Sequence, residues 1–313
     1  MSPLAFGVVL TSCLSSHIVA QQVVGERPQF RISVDTVSLA VTVLDQKQHL
    51  VNGLSRENFT VFEDGVEQEV QFFFHGQVPL KMAILIDTSR SMQEKISLAQ
   101  EAAIRFVRSL EPGDEVQVVE FNDRVLTLVE LTPDFEKISE AIRQTEVDGT
   151  TSLYTALYVS LKDLDRLSKD VLARRAIVVL SDGNDTKSML SFEDVKELAL
   201  KSDVIIYSIS LRATEADLEK EKYRNAKYEL DMLARETGGV AYAPQKLDDL
   251  ADVYDDLAME LKSQYSLGYV STNLVTDGSW RHLQILTKEP GTEIRARNGY
   301  FAPRPVRRRR RAR

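Results

Sequence analysis

Apolar positions along the chain follow two periodicities, and the change between them divides the sequence into three parts. From Phe30 to Val78, Val, Ile, Phe and Thr recur at near-alternate positions, which is typical of β-strands. From Leu80 to Leu261, short continuous apolar runs alternate with segments whose apolar residues recur every three or four positions. From Gln264 to Ala302 the alternating pattern returns. This order predicts an α/β domain flanked on both sides by β segments.

The middle part predicts a doubly wound, mainly parallel sheet with a Rossmann-like arrangement. Met82–Ile86 and Ala176–Leu180 are uniformly apolar, as in strands that are buried on both faces. Glu115–Phe121 and Val125–Leu131 are joined by a tight turn at Asn122-Asp123, which makes that pair antiparallel and supplies one antiparallel edge strand. Further strands are predicted at Val204–Ser210 and Val240–Tyr242. Helices are predicted at Met92–Leu110, after Asp134, and at Leu153–Leu167, Phe192–Leu200, Glu215–Arg235 and Leu247–Leu261.

The two β segments are predicted to pack together as one small module. In the first segment, Asp64-Gly65 separates strand patterns at Thr60–Glu63 and Val66–Phe74, a strong signal for a type I′ hairpin. The second contains strand patterns at Tyr265–Val270, Trp280–Thr287 and Glu293–Ala296. The predicted divisions are therefore an N-terminal β segment at 28–78, an α/β domain at 80–262 and a C-terminal β segment at 263–303.

Both ends of the chain differ in composition from the rest. Residues 1–22 are apolar and small and lack Asp and Glu, which is typical of a secretory signal with cleavage near Ala20. Leu10–Cys13 also resembles a bacterial lipobox, which would make Cys13 a lipid anchor, and an uncleaved segment is the third alternative. Residues 304–313 hold seven arginines on a chain of net charge −8. This basic tail is either a solvated end or a contact for anionic lipid, lipopolysaccharide or nucleic acid.

Composition excludes several classes of function. Cys13 is the single cysteine, so an intrachain disulfide framework and a cysteine-based zinc site are excluded. The four histidines are scattered and none stands in an HExxH spacing. The sequence also lacks the GxSxG, GxGxxG and GxxxxGK[ST] patterns of hydrolases, dinucleotide-binding proteins and P-loop proteins. No apolar run after the first segment reaches the roughly 18–20 residues that a membrane span requires.

Candidate chemistry begins where the first apolar strand ends. Asp87, Ser89 and Ser91 follow that strand at alternate positions and precede a predicted helix. One carboxylate and two hydroxyls on such a loop form a ligand set for Mg²⁺, Mn²⁺ or Ca²⁺. The alternative is that Ser89 or Ser91 caps the helix.

A second group of oxygen-bearing residues is predicted to lie at the same edge. The second apolar strand ends at Asp182, and ligands of doubly wound sheets lie beyond the carboxyl ends of the strands. The Gly149–Thr151 loop precedes another predicted helix and can present a hydroxyl there. Asn184 and Asp185 either line this edge or cap a loop. An all-oxygen set suits Mg²⁺, Mn²⁺ or Ca²⁺ and is poor for Zn²⁺.

In this order, these residues resemble the metal-ion-dependent adhesion site (MIDAS) of von Willebrand factor type A (VWA) domains. The resemblance covers about 80–261. It assigns Asp87, Ser89 and Ser91 to the first loop and Asp182 to the third. For the middle loop it favours Thr151 over Thr150, because Gly-x-Thr-Ser-Leu-Tyr fits the family's Gly-Gly-Thr-Ala-Leu-Tyr better. Leu233-Ala234-x-x-Thr237-Gly238-Gly239 also matches the end of a late helix in this family.

The flanking segments extend the resemblance to a bacterial VWFA-related family of the Acidobacterial type, whose members are mostly exported. It rests on Val51-x-Gly53-Leu54-x-x-x-Asn58-Phe59-x-Val61-x-Glu63-Asp64-Gly65 and on Arg297-x-Gly299-Tyr300-Phe301. In VWA domains the three hydroxyls tend to bind the metal directly, the aspartates bind directly or through water, and one position is left for a carboxylate of a partner.

The resemblance therefore implies an exported, non-enzymatic module that binds a protein presenting Asp or Glu through a divalent cation. Nucleic acid is not an expected partner. The residues also fit two alternatives. One is a structural scaffold in which the metal stabilises the fold. The other is a metal-assisted hydrolase that uses Asp182 or Asp185 as base on a metal-bound water.

Overall fold

The computed structural model describes residues 36–76, 78–166, 173–181, 185–211 and 221–304, without the side chains of 221–223. The predicted signal segment, Cys13, Asp182, Asn184 and residues 305–313 of the basic tail lie outside these ranges. The described residues form a six-stranded sheet with helices on both faces and two four-stranded antiparallel sheets. The predicted mixed α/β class with a mainly parallel central sheet is confirmed.

The elements have the following bounds. The strands are β1 Thr36–Asp45, β2 Phe59–Glu63, β3 Val66–Gln68, β4 Phe72–His75, β5 Leu80–Asp87, β6 Glu115–Phe121, β7 Val125–Thr132, β8 Arg174–Ser181, β9 Ile205–Ser210, β10 Ala241–Tyr242, β11 Tyr265–Val270, β12 Trp280–Thr287, β13 Thr292–Arg295 and β14 Gly299–Phe301. The α-helices are α1 Ile96–Ser109, α2 Phe135–Arg143, α3 Leu153–Asp165, α4 Phe192–Lys201, α5 Glu221–Thr237 and α6 Leu250–Ser263. Short 3₁₀ turns cover Arg56–Asn58, Arg90–Met92 and Leu247–Asp249.

The central sheet places the two candidate loops beside each other. Its strand order is β10-β9-β8-β5-β6-β7. All neighbouring strands are parallel except β6 and β7, so the predicted antiparallel edge is confirmed. Strand order reverses around β5, because the chain first adds β6 and β7 on one side and then β8 on the other. Ile86 pairs with Leu180, so the ends of β5 and β8 meet at the same edge.

The uniformly apolar strands are explained by cores on both faces of this sheet. Met82, Ile84 and Ile86 pack with α1, α2 and α6 on one face. Ala83 and Leu85 pack with α3, α4 and α5 on the other. All five side chains are fully buried. Successive side chains of a strand point to opposite faces, so a strand covered on both sides needs apolar residues at every position.

Strands from the two ends of the described chain pair with one another, as the flanking patterns predict. One sheet has the order β13-β1-β11-β4 and the other β14-β12-β2-β3. Their facing side chains form a third core, separate from those of the central sheet, that includes Leu39, Val41, Val61, Tyr265 and Leu267. The predicted Asp64-Gly65 hairpin is also observed. Both turn residues have positive φ, 48° and 81°, as a type I′ turn requires.

Two predicted elements differ from the structure. Val66–Phe74 is not one strand, since β3 and β4 belong to different sheets. The alternation of apolar residues continues through the crossing, so the pattern does not reveal it. The helix predicted at Met92–Leu110 begins at Ile96, because a 3₁₀ turn and a short connection separate it from the first loop. The first six residues of the helix predicted at Glu215–Arg235 lie outside the described ranges.

A buried polar cluster joins the flanking sheets to the α/β domain. Glu260 of α6 is 4% exposed and forms an ion pair with Arg295 of β13, Oε2 to Nη2, at 2.5 Å. The hydroxyl of Tyr207 on β9 donates to Glu260 at 3.1 Å and accepts a hydrogen bond from Gln264 at 2.8 Å. A buried carboxylate is stable when charge and hydrogen bonds compensate its desolvation. The cluster therefore fixes α6 against the flanking module.

Candidate metal centre

Asp87 is the last residue of β5, and its carboxylate is completely buried. Its Oδ1 accepts the backbone N–H of Ser89 at 2.9 Å, and its Oδ2 accepts the hydroxyl of Ser181 at 2.5 Å. The first contact folds the loop after β5, and the second joins the ends of β5 and β8. A buried carboxylate requires such partners. Asp87 is therefore held in one orientation at the strand edge.

Ser89 and Ser91 place their hydroxyls together. The two Oγ atoms are 3.0 Å apart, and Ser89 is 2% exposed whereas Ser91 is exposed. Neither serine caps α1, because the residue at its N-cap is Lys95. Ser89 precedes the 3₁₀ turn at Arg90–Met92, but its side chain makes no capping hydrogen bond. The alternative of a helix cap is therefore wrong for both serines.

The loop that contains Thr151 is attached to the first loop through the backbone. The N–H of Asp148 donates to the carbonyl of Thr88 at 2.8 Å, and the N–H of Arg90 donates to the carbonyl of Gly149 at 3.3 Å. Gly149 has a φ of 69°, and a Cβ there would lie 2.8 Å from Cγ of Asp123. Only glycine fits this backbone beside Asp123. These contacts bring two of the three predicted loops together.

The structure distinguishes Thr150 from Thr151. Thr150 is exposed, and both its N–H, at 2.8 Å, and its hydroxyl donate to Asp123. Thr151 is 5% exposed, and its carbonyl accepts the N–H groups of Thr186 at 2.9 Å and Lys187 at 3.0 Å. Among the described residues, the hydroxyl of Thr151 has no hydrogen-bond partner. Of the two threonines in this loop, Thr151 is therefore the one whose hydroxyl oxygen is available to bind a ligand.

Asp182, the predicted ligand of the third loop, lies outside the described residues, which resume at Asp185. Asp185 stabilises the third loop through hydrogen bonds. Its carboxylate accepts the N–H of Tyr154 at the start of α3 at 3.1 Å, the N–H of Ser188 at 3.1 Å and the hydroxyl of Ser188 at 2.7 Å. Of the three roles that the sequence suggests for Asp185, namely lining the edge, capping the loop and acting as a base, its observed contacts match capping.

Three residues that hold the loops were not identified from the sequence. Ser181 binds Asp87, Asp123 binds Thr150, and the Thr186 hydroxyl accepts the N–H of Thr151 at 3.1 Å. Ser181 directly precedes Asp182 in the sequence, and this position next to a predicted ligand could have identified it as a residue of the site. Asp123 lies in the tight turn between β6 and β7, where the sequence indicates only a turn residue. Its distance in sequence from Thr150 conceals the contact.

Two carboxyl groups near the loops have shifted pKa values. Hydrogen bonds from the hydroxyl and the N–H of Thr150 lower the pKa of Asp123, so this side chain stays ionised and keeps the loop in place. Burial raises the pKa of Glu120, next to the end of β6.

Across the described ranges, His, Cys, Asp and Glu side chains form no group of three arranged for a metal ion. The candidate set differs from such a group because three of its five members are hydroxyls.

The chemistry of the described donors fits a hard divalent cation. Asp87, Ser89, Ser91 and Thr151 offer oxygen only, and oxygen ligands are those that Mg²⁺, Mn²⁺ and Ca²⁺ prefer. Adjacent ligands at about 2.1 Å from an octahedral metal are about 3.0 Å apart. The Ser89 and Ser91 oxygens have that separation without rearrangement.

Residues 82–184 match the family model of the von Willebrand factor type A domain. The chain contains a VWA domain. The matched region begins in β5 and ends just after β8, so it includes all five predicted ligand positions. Around it, the order of strands and helices is that of the doubly wound fold described above.

Solved VWA structures share this fold at low sequence identity. A von Willebrand factor type A protein from Catenulispora acidiphila is 12% identical, with a TM-score of 0.50, and the match covers 90% of this chain and 76% of that one. Proximal thread matrix protein 1 from the mussel byssus, solved with a zinc-occupied MIDAS motif, is 16% identical with a TM-score of 0.50. That match covers 64% of this chain and 49% of the mussel protein. These likenesses concern the fold alone.

A relative in sequence is a UPF0353 protein of Mycolicibacterium paratuberculosis (strain ATCC BAA-968 / K-10). It is 23% identical over 233 residues, which cover 67% of this chain and 69% of the relative. Its description names no activity. The resemblance of the flanking segments to one bacterial VWA subfamily stays a prediction.

Proposed function

We propose that this VWA domain protein is an exported protein-binding module that holds a partner through a divalent cation. In this proposal Asp87, Ser89, Ser91, Thr151 and Asp182 bind the cation. A carboxylate of the partner occupies a remaining coordination position. The observation that carries the proposal is the cluster of Ser89 and Ser91 hydroxyls, 3.0 Å apart, beside the buried Asp87 carboxylate.

Each described residue has a separate task in this site. Asp87 supplies negative charge, and its hydrogen bonds to Ser89 and Ser181 set its orientation. The hydroxyls of Ser89, Ser91 and Thr151 are neutral donors, so they hold a cation without cancelling its charge. A cation with few anionic ligands attracts a carboxylate more strongly than it attracts water. The partner is therefore expected to present Asp or Glu.

The contacts of Asp185 favour a binding role over hydrolysis. A general base must be able to accept a proton from the attacking water. The Asp185 carboxylate already accepts three hydrogen bonds, from Tyr154 and Ser188, which fix the start of α3 and the third loop. Of the two aspartates named for the hydrolase alternative, Asp185 is thus assigned to structure.

The proposed location is the bacterial envelope or the exterior. It is supported by the signal-like composition of residues 1–22 and by the arginine-rich tail. In the described part of the chain, no helix combines the length and apolar character that crossing a membrane requires. In this proposal, lipidation at Cys13 or binding of the tail to anionic lipid would add an envelope contact.

Calorimetric titration with Mg²⁺ tests the site. The parent is expected to bind, and Ser89→Ala is expected to lose binding while its circular dichroism spectrum is unchanged. Ser160→Ala is a matched control, because Ser160 is fully buried in α3 and its hydroxyl has no partner among the described residues. Equal Mg²⁺ binding by the parent and Ser89→Ala would refute the metal site.

Capture of partners tests the binding role. The full chain, immobilised with Mg²⁺ or with EDTA, is exposed to an envelope fraction. Proteins retained by the parent only in Mg²⁺, and lost with Ser89→Ala, support the proposal. A large fall in melting temperature on chelation without any Mg²⁺-dependent partner would favour the structural scaffold. Turnover of phosphoesters or peptides that depends on Asp87 would favour the hydrolase.

A further inference from the structure

The segment Thr186–Met189, named here the rim segment, is attached to the protein through the side chains of Thr186 and Ser188, although Thr186 is itself exposed. The Thr186 hydroxyl accepts the N–H of Thr151, and the Ser188 hydroxyl donates to Asp185 at 2.7 Å. Lys187 and Met189, which alternate with them, are exposed. Met189 is fully exposed.

The backbone on both sides of Met189 is held in place. Ser188 also accepts the N–H of Thr155 at 3.0 Å, and its own N–H donates to Asp185. On the other side, Ser191 caps α4 by accepting the N–H of Asp194 at 3.2 Å. Met189 is therefore presented at a defined position. A thioether side chain surrounded by water contributes no burial energy to the described fold.

The rim segment lies against one of the proposed ligands. The N–H of Lys187 donates to the carbonyl of Thr151 at 3.0 Å. Two residues of extended chain span at most about 7 Å, so the Cα of Met189 is no farther than that from the Cα of Lys187. Within the described residues, Lys187 forms no ion pair. A cationic and an apolar side chain are thus displayed together beside Thr151.

We propose that Lys187 and Met189 complete the binding site for the partner and determine its specificity. This inference rests on the proposed function, in which the cation binds an Asp or Glu of the partner. Met189 then contacts an apolar side chain next to that residue, and Lys187 attracts a second acidic group. Methionine suits such a contact because it is flexible and polarizable and is enriched at interface cores. The partner is a protein segment that combines acidic and apolar residues.

Selection of random peptides displayed on phage tests this inference. The full chain is immobilised in Mg²⁺, and bound phage are eluted with EDTA. Enriched peptides are expected to carry an acidic residue with an apolar residue beside it or one position away. Their affinity for Met189→Ser is expected to fall about tenfold through the lost apolar contact, whereas Mg²⁺ affinity is unchanged. Lys187→Gln is expected to reduce the salt dependence of binding.

Met259→Ser is the matched control, because Met259 is exposed on α6 two residues before Leu261, whose carbonyl accepts a hydrogen bond from Arg174 at the end of β8 opposite the loops. It is expected to bind the enriched peptides as the parent does. Mg²⁺-dependent peptides that bind the parent and Met189→Ser equally would overturn this inference and leave the proposed function intact. Equal losses in both methionine variants would also overturn it. Failure to enrich any peptide that depends on Mg²⁺ and Ser89 would overturn the proposed function together with this inference.

Discussion

The hydroxyl of Ser181 donates a hydrogen bond to the Asp87 carboxylate at 2.5 Å, connecting the ends of β8 and β5. Both residues are fully buried. This bond crosses the point at which strand order reverses, the place where doubly wound sheets bind ligands. The hydrogen bond fixes the orientation of the Asp87 carboxylate in the first loop, and its donor, Ser181, ends the strand that leads into the third loop.

Ser181→Ala is expected to weaken Mg²⁺ binding roughly 10–100-fold, because groups that orient metal ligands contribute to affinity on that scale. Calorimetric titration measures the change. Ser139→Ala serves as control, since Ser139 is fully buried on α2 and its hydroxyl has no partner among the described residues. An unchanged Mg²⁺ affinity in Ser181→Ala would show that Asp87 is oriented by other contacts.

The two threonines of the second loop give a paired prediction. Thr151→Val removes the unpartnered hydroxyl and is expected to reduce Mg²⁺ affinity more than about 100-fold, beyond the effect of losing an orienting contact. Thr150→Val is expected to change it less than about threefold, because the N–H of Thr150 still donates to Asp123. Titration of both variants decides the assignment. The reverse order of effects would make Thr150 the ligand.

The site is expected to prefer Mg²⁺ and Mn²⁺ to Ca²⁺. Mg²⁺ is commonly held by one or two carboxylates with several waters, whereas Ca²⁺ takes 6–8 oxygens and often a bidentate carboxylate. Both oxygens of Asp87 already accept hydrogen bonds, from Ser89 and Ser181, which disfavours bidentate binding. Thermal shift with each cation in turn measures the order. Tighter binding of Ca²⁺ would contradict the prediction.

A separate prediction concerns the buried ion pair of the flanking sheets. Glu63 is 2% exposed, and its Oε1 lies 2.9 Å from Nη1 of Arg281. The hydroxyls of Tyr269 and Tyr300 donate to Glu63 at 2.7 and 2.8 Å. Glu63→Gln leaves Arg281 with its charge uncompensated and is expected to lower the free energy of unfolding by about 3 kcal/mol. Urea unfolding at neutral pH measures this loss.

The same pair predicts how stability depends on pH. Burial alone would raise the pKa of Glu63, but hydrogen bonds from Ser271, Tyr269 and Tyr300, together with Arg281, lower it below the ordinary 4.5. The stabilisation is therefore complete above pH 4.5 and is lost as pH falls through the lower pKa of the folded state. The difference between parent and Glu63→Gln should shrink over that range. Glu67→Gln, at an exposed position of β3, should follow the parent.

The sequence alone determined the fold class of the central domain and predicted an all-oxygen ligand set in its loops. Continuous apolar runs at Met82–Ile86 and Ala176–Leu180 indicated central strands, because only strands covered on both faces need apolar residues at every position. Glycine positions and the tight turn at Asn122-Asp123 are local signals, so the antiparallel edge could also be predicted from the sequence. The order of Asp87, Ser89, Ser91, Thr151 and Asp182 indicated an all-oxygen cation site.

Only the tertiary structure decided which side chains hold that site together. Ser181 and Asp87 are far apart in sequence, as are Asp123 and Thr150, and their contacts depend on which strands become neighbours. Strand order and loop contacts are long-range properties, whereas periodicity and turn signals are local. For the same reason, only the structure separated β3 from β4 and left the Thr151 hydroxyl, rather than that of Thr150, without a protein partner among the described residues.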